Sequence, residues 1–140
     1  MKILILCTGN SCRSQMAHGF LQSFNKDLLV FSAGTEASGK LNKKAIAVMS
    51  EIGIDISHHT SDSVNLYLDD EWDFVITVCG SANETCPAFL GKVENRLHIG
   101  FDDPTYAEGT EEFIWSEYRR VRDEIKNAFL KFYNEKIILS

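Results

Sequence analysis

The feature that most constrains this chain is a change of periodicity across Cys7–Ser14. Residues 2–7 are almost continuously apolar, whereas from Ser14 onward Met16, Ala17, Phe20, Leu21 and Phe24 recur on one helical face. A strand, a short polar turn and a helix form the opening of a βαβ unit, and the rest of the chain repeats that alternation. Leu28–Phe31 reads as a second strand, closed by Ser32-Ala33-Gly34. Asn42 is placed to cap a helix that buries Ala45, Ile46, Met49 and Ile52, with Gly53 as its stop. Phe74–Val78 is a third strand running into Cys79-Gly80, and Leu97–Ile99 a short fourth. Thr110 caps a long final helix with Glu111 and Glu112 near its positive end and Tyr118, Val121, Ile125, Phe129 and Phe132 as its apolar stripe. The expected fold is α/β, a parallel sheet covered on both faces by helices, in one domain over residues 1–140. Ligands of such sheets bind beyond the carboxyl ends of the strands, where Cys7 and Cys79 both fall.

The turn Cys7-Thr8-Gly9-Asn10-Ser11-Cys12-Arg13-Ser14 carries the chemistry. A cysteine and an arginine separated by five residues, between strand and helix, can wrap backbone N–H groups around a tetrahedral oxyanion. Gly9 and Asn10 tolerate left-handed dihedrals, which a tightly curled loop needs. The helix start adds unpaired donors and a positive dipole end, and Arg13 a planar fork matched to two oxygens. The same donors stabilise negative sulfur, so Cys7 is expected to be a thiolate at neutral pH, with Ser14 placed to donate to it. The oxyanion-binding set is Thr8, Gly9, Asn10, Ser11, Cys12 and Arg13.

Composition narrows the class. A net charge of −6 without a basic stripe argues against nucleic-acid partners, while leaving room for a local anion pocket. No apolar run is long enough for a membrane span, and residues 1–6 read as a buried strand rather than a signal peptide, so a cytoplasmic protein is expected. The four cysteines, at 7, 12, 79 and 86, are then catalytic or metal-binding candidates more than structural disulfides. No zinc spacing and no suitably placed histidine pair completes a metal site. Buried inert thiols remain the plain alternative for Cys79 and Cys86.

The segment CTGNSCRSQMA, residues 7–17, resembles the active-site segment of arsenate reductases related to low-molecular-weight protein tyrosine phosphatases. The resemblance extends through Ser32-Ala33-Gly34, Ile54–Ser57, His59–Asp62, Gly100–Pro104 and Arg119–Ile125. It implies a four-stranded parallel sheet flanked by helices, with Cys7 as nucleophile toward arsenate and phosphate or sulfate as competing oxyanions. Asp103 of the Asp-Pro step matches the family's general acid, a group that eases departure of a leaving oxygen; its neighbour Asp102 is the obvious wrong choice.

The loop alone fits a reductase or a phosphatase. The second cysteine pair distinguishes them, because reduction of arsenic(V) needs two electrons and two thiols becoming a disulfide provide them. The resemblance implies that Cys79 attacks the sulfur of the Cys7–arsenic adduct, and that Cys86 then attacks Cys79. An external dithiol, thioredoxin first and glutaredoxin with glutathione second, would reduce the final disulfide, with no bound cofactor. Cys79 and Cys86 cannot bond in a straight helical turn, so segment 80–92 is expected to loosen in turnover, with Gly80 and Gly91 permitting the motion. Cys12 reads as structural or as a protective partner of Cys7, as in the phosphatase relatives. Some related reductases bind potassium at positions matching Asn10, Ser32, Thr60 and Asp62 plus a helix glutamate; His18 stands at that last position, so no metal is assigned. His58 and His59 read as exposed loop residues. Tyr106 resembles the aromatic wall of tyrosine phosphatases, although Thr105 breaks the usual pair. The rival functions are hydrolysis of phosphate monoesters through a phosphocysteine, and a non-catalytic phosphocarrier, against which the permanent clamp of Arg13 argues.

Overall fold

The structure is a computed structural model that describes residues 1–80, 82 and 86–139. Strands β1 (Lys2–Cys7), β2 (Leu29–Gly34), β3 (Trp72–Thr77) and β4 (Val93–His98) form one parallel sheet in the order β2-β1-β3-β4. The central position of β1 explains its unbroken apolar run: Ile3, Leu4, Ile5 and Leu6 are all 0% exposed, with neighbours on both edges and layers on both faces.

Helices α1 (Arg13–Phe24), α2 (Lys43–Ser50) and α3 (Glu111–Phe132) pack against one another. Met16, Phe20, Leu21, Met49, Val121, Ile125 and Phe129 fill the core between these helices and the sheet. Phe74 of β3 meets Phe132 of α3 edge-on, with ring centres 5.1 Å apart. Around β2, Phe31 contacts the rings of Tyr67, from a 3-10 turn at Val64–Tyr67, and of Trp72.

The helix ends follow the local chemistry of the sequence. The side chain of Asn42 accepts from the N–H groups of Lys44 and Ala45, and that of Thr110 from Phe113. Gly53, at φ 82°, takes the left-handed conformation that turns the chain out of α2.

Two strands differ from the sequence reading. β2 extends through Ser32-Ala33-Gly34 instead of closing at Phe31, because pairing continues along β1 to Cys7↔Gly34. β4 starts at Val93 rather than Leu97; its Glu94, Asn95 and Arg96 are exposed on an edge strand, where polar side chains are tolerated and the apolar signal fails. The register Leu6↔Thr77 and Cys7↔Gly34 leaves the carboxyl ends of β1, β2 and β3 nearly level, so the segments that follow them meet at one rim.

Candidate active site

At that rim the loop after β1 surrounds a cavity of about 210 Å³ lined by Cys7, Thr8, Gly9, Asn10, Ser11, Cys12, Arg13, Asp103, Thr105 and Tyr106. Its shape follows from where its carbonyls go. The carbonyl of Cys7 accepts from Thr35 N–H, that of Thr8 from Glu36 N–H, and that of Ser11 from Asn42 N–H. The Gly9 carbonyl accepts from Ser38 N–H and Ser61 Oγ, and the Asn10 carbonyl from Gln15 Nε2. With the carbonyls tied to surrounding segments, the loop amides are the groups left to serve an anion. α1 adds to them, since its N-cap residue Cys12 makes no side-chain cap bond to its first turn.

Asn10 is the loop's left-handed residue, at φ 49°. It is fully buried, donates from Nδ2 to Ser14 Oγ at 2.8 Å and accepts at Oδ1 from Asp62 N–H at 2.9 Å. Gly9, expected to share that conformation, has no positive φ. Ser14 is buried behind the loop and does not line the cavity; its hydroxyl oxygen is engaged by Asn10.

Arg13 is held at the cavity wall by two donations, to the Phe101 carbonyl at 3.0 Å and to Asp103 Oδ2 at 3.2 Å. Asp103 therefore faces the loop, whereas Asp102 turns outward to Arg120 at 3.2 Å. The other Asp103 oxygen accepts from the N–H and hydroxyl of Thr105, which fixes the carboxylate at the start of a short 3-10 turn.

The two strand-end cysteines meet. Cys7 and Cys79, 5% and 4% exposed, are joined by a sulfur–sulfur hydrogen bond, and Thr8 Oγ1 lies 3.3 Å from Cys79 Sγ. That bond is the largest influence on both. It pushes the Cys7 thiol up, reinforced by burial, against the pull of Arg13 and the Thr8 amide. It draws Cys79 down to about 5, helped by the Thr8 hydroxyl, the Ala82 amide and Arg13 against the opposing effect of burial. The two sulfurs share one proton, so the negative charge expected on Cys7 belongs to the pair. A second sulfur competing for the anion was invisible in the loop sequence. Cys12 is pushed up to about 12, chiefly by burial and then by Asp103, and stays a thiol.

Cys86 is half-buried and lines a different groove, over β3 and β4, apart from the cavity. The expected loosening of segment 80–92 falls partly on Ser81 and Asn83–Thr85, which lie outside the described residues. At its far end Gly91 is closely packed in this state. A Cβ there would come within 2.1 Å of the Asp70 carbonyl oxygen, and the amides of Leu90 and Gly91 both donate to the Leu68 carbonyl.

Sequence reasoning missed Gln15, a polar side chain inside the apolar face of α1 and fully buried. Its Nε2 donates to the carbonyls of Asn10 and Thr60, and its Oε1 bonds His59 Nδ1 at 2.9 Å. A glutamine directly before the buried Met16 was the available signal. His59, expected as an exposed loop residue, is half-buried and stacked on His18 with ring centres 4.2 Å apart; His58 is the exposed one. Burial is the first cause that lowers His18 to about 3 and His59 to about 4. Both are neutral, His18 engages Ser32 Oγ at 3.0 Å, and Asp62 accepts from Thr60 Oγ1 at 2.9 Å. A hard cation wants charged oxygens, and this arrangement does not fit one. Among the described residues no cluster of three or more His, Cys, Asp or Glu could hold a metal ion.

Comparison with known proteins gives concordant results. The family described as low molecular weight phosphotyrosine protein phosphatase matches residues 2–137. The chain is 53% identical over 131 residues to a protein of Halalkalibacterium halodurans named arsenate reductase, and 52% identical over 131 residues to one of Shouchella clausii with the same name. Each alignment covers 93% of both sequences. A solved structure described as an arsenate reductase in the phosphate binding state superposes with a TM-score of 0.80 at 33% identity, over 96% of this chain and 97% of that one.

Proposed function

Since this chain belongs to the low molecular weight phosphotyrosine protein phosphatase family, and since its relatives at about half identity are named arsenate reductases, we propose that it reduces arsenate to arsenite as a single catalytic domain. Cys7 is the nucleophile. The loop amides of residues 8–13 and the Arg13 fork hold the tetrahedral oxyanion, and Asp103 protonates the departing oxygen. The proton on Cys7 passes across its hydrogen bond to Cys79, so that Cys7 attacks as thiolate and water leaves. Cys79, once deprotonated again, attacks Cys7 Sγ. The sulfur–arsenic electron pair stays with arsenic, arsenite departs, and a Cys7–Cys79 disulfide remains.

Cys86 then displaces Cys7 from Cys79, and an external dithiol protein, thioredoxin in our reading, with glutaredoxin and glutathione as the alternative, reduces the last disulfide. Such chemistry needs a reducing compartment, in keeping with the cytoplasm, and no described helix is long and apolar enough to cross a membrane.

The observation that supports reduction over hydrolysis is the contact of Cys79 with Cys7, since phosphate-ester hydrolysis has no use for a second sulfur against the nucleophile. The deciding experiment measures arsenite formation with each reductant system beside hydrolysis of an aryl phosphate. Cys79→Ser abolishes arsenite turnover and leaves any aryl phosphate hydrolysis in place. Arsenate turnover undiminished in Cys79→Ser removes the relay. Aryl phosphate hydrolysis with no arsenite formed under either system makes the protein a phosphatase.

A further inference from the structure

The groove beside Cys86 has a volume of about 350 Å³ and is lined by Val75 and Thr77 of β3 and by Arg96, Leu97 and His98 of β4. The register pairs Val75 with Arg96 and Thr77 with His98. Residues directly paired across parallel strands share a sheet face, so Arg96 projects over the side on which Cys86 lies. The guanidinium carbon of Arg96 sits 5.3 Å from the centre of the Phe89 ring, and its side chain bears on the Cys86 sulfur, whose S–H donates to the Pro87 carbonyl at 3.6 Å. One arginine is thus fixed between an aromatic face and a thiol, on an edge strand whose neighbouring side chains are mostly solvated.

We propose that Arg96 is a positioning residue for the resolving thiol, holding Cys86 in the groove over β3 and β4 beside a cation that favours the sulfur anion needed to attack Cys79. The assignment rests on the cysteine relay proposed above. In the step it serves, a lone pair of the Cys86 thiolate forms a bond to Cys79 Sγ. The Cys7–Cys79 bond breaks, its electron pair leaves on Cys7 as thiolate, and the proton of Cys86 has gone to solvent. The exchange is internal and needs no further oxidant or reductant.

Burial raises the Cys86 thiol, and Arg96 opposes it both as a charge and as a donor. Among the described residues, the ionisable groups lining the groove with Cys86 are Arg96 and His98 of β4. His98 Nδ1 lies 2.7 Å from Thr77 Oγ1, β3 lines the groove with Val75 and Thr77 while its Asp73 lines a neighbouring pocket and accepts from the Lys2 N–H, and Phe89 is uncharged. An attacking thiol must be ionised, and although burial leaves Cys86 above the ordinary thiol range, the arginine is the cation in place to favour its anion.

The test is a timed iodoacetamide pulse on the fully reduced, full-length protein across a pH series, with peptide mass spectrometry reading each cysteine. In Arg96→Gln the midpoint for Cys86 moves up by about one pH unit and its alkylation near neutral pH slows about tenfold. Arg96→Lys recovers part of the loss, and the Cys79 midpoint stays where it was. An unchanged Cys86 midpoint in Arg96→Gln overturns the proposal, as does Cys86 alkylating faster at every pH, which marks a thiol merely uncovered. A second arm follows one turnover with arsenate in the absence of external reductant. There Arg96→Gln accumulates the Cys7–Cys79 disulfide and is relieved by raising the pH, whereas passage to Cys79–Cys86 at the unmodified rate refutes the role. Should the unmodified protein form neither disulfide nor arsenite, the relay itself fails, and the alkylation series still decides whether Arg96 ionises Cys86.

Discussion

Gly34→Ala is the substitution expected to disable the anion loop from outside it. Gly34 ends β2, opposite Cys7, and a Cβ built on it would lie 2.4 Å from the Thr8 carbonyl oxygen and 3.1 Å from both Asn10 Cβ and Asn10 N. Contacts under 3.0 Å are essentially never seen for a Cβ, so at least 0.6 Å (3.0 − 2.4) of separation must be found, and 1.0 Å (3.4 − 2.4) to reach ordinary contact. Gly34 cannot yield it, being held by the β1 register, by donation from its N–H to the Asp62 carbonyl at 2.8 Å and by a bridge to Ser63. The loop moves instead, carrying Thr8 and Asn10. A misplacement of about 1 Å at a reacting centre can cost about 10²-fold, or about 2.7 kcal/mol. Arsenite turnover and phosphate affinity by titration calorimetry are expected to fall by that order while the protein stays folded. Two controls isolate the cause. Gly9→Ala, inside the loop, meets only Ser11 Oγ at 3.6 Å and leaves thermal stability unchanged. Gly19→Ala presses on the side-chain ends of Ile56, Met49 and Ile54 and lowers stability by about 1–3 kcal/mol without weakening phosphate binding. Phosphate affinity in Gly34→Ala within about twofold of the unmodified protein refutes the packing argument, since about 1.4 kcal/mol already corresponds to tenfold.

Two further expectations follow from the protonation states. His18 and His59 are held at about 3 and about 4, below an ordinary histidine, so between about pH 6.5 and those values the unfolded chain binds protons that the native protein refuses. Their stabilisation is complete above about pH 6.5 and is lost as pH falls toward the folded values, at about 1.4 kcal/mol per pH unit for the buried His18 and less for the half-buried His59, which solvent screens. Urea unfolding across that window should show the slope, His18→Gln should remove the larger part of it, and an unaltered slope refutes the assignment. Thr8→Val removes the hydroxyl that faces Cys79 at 3.3 Å. A hydrogen bond to a charged group is worth about 1.5–3 kcal/mol, so the Cys79 midpoint, read by thiolate absorbance, should rise about one to two pH units, with Thr8→Ser restoring it. No rise refutes the bond.

The central elements were legible because their signals are local. The apolar run of β1, the periodicity of α1 and the caps at Asn42 and Thr110 are written in adjacent residues, and the cavity lining from Thr8 to Arg13 is one continuous stretch. Asp103 was found through resemblance, and its facing of Arg13 became visible only when β4 delivered Phe101–Asp103 to the rim. What escaped depends on long-range encounters. The charge distribution between Cys7 and Cys79 comes from two sulfurs brought together by strands β1 and β3. The engagement of Gln15 with Asn10, Thr60 and His59 joins segments that no periodicity links. β4 is longer than its apolar signal because an edge strand carries polar residues where alternation is expected to show.

The outward anchoring of the loop carbonyls means that the octapeptide Cys7–Ser14 is not portable. Thr35, Glu36, Ser38, Asn42, Ser61 and Gln15 act as the mould in which it is cast. Grafted onto another strand–helix junction without them, the same eight residues would turn some of their carbonyls inward and greet an oxyanion with negative dipoles. A designer copying this pocket must therefore transplant the scaffold wall together with the signature.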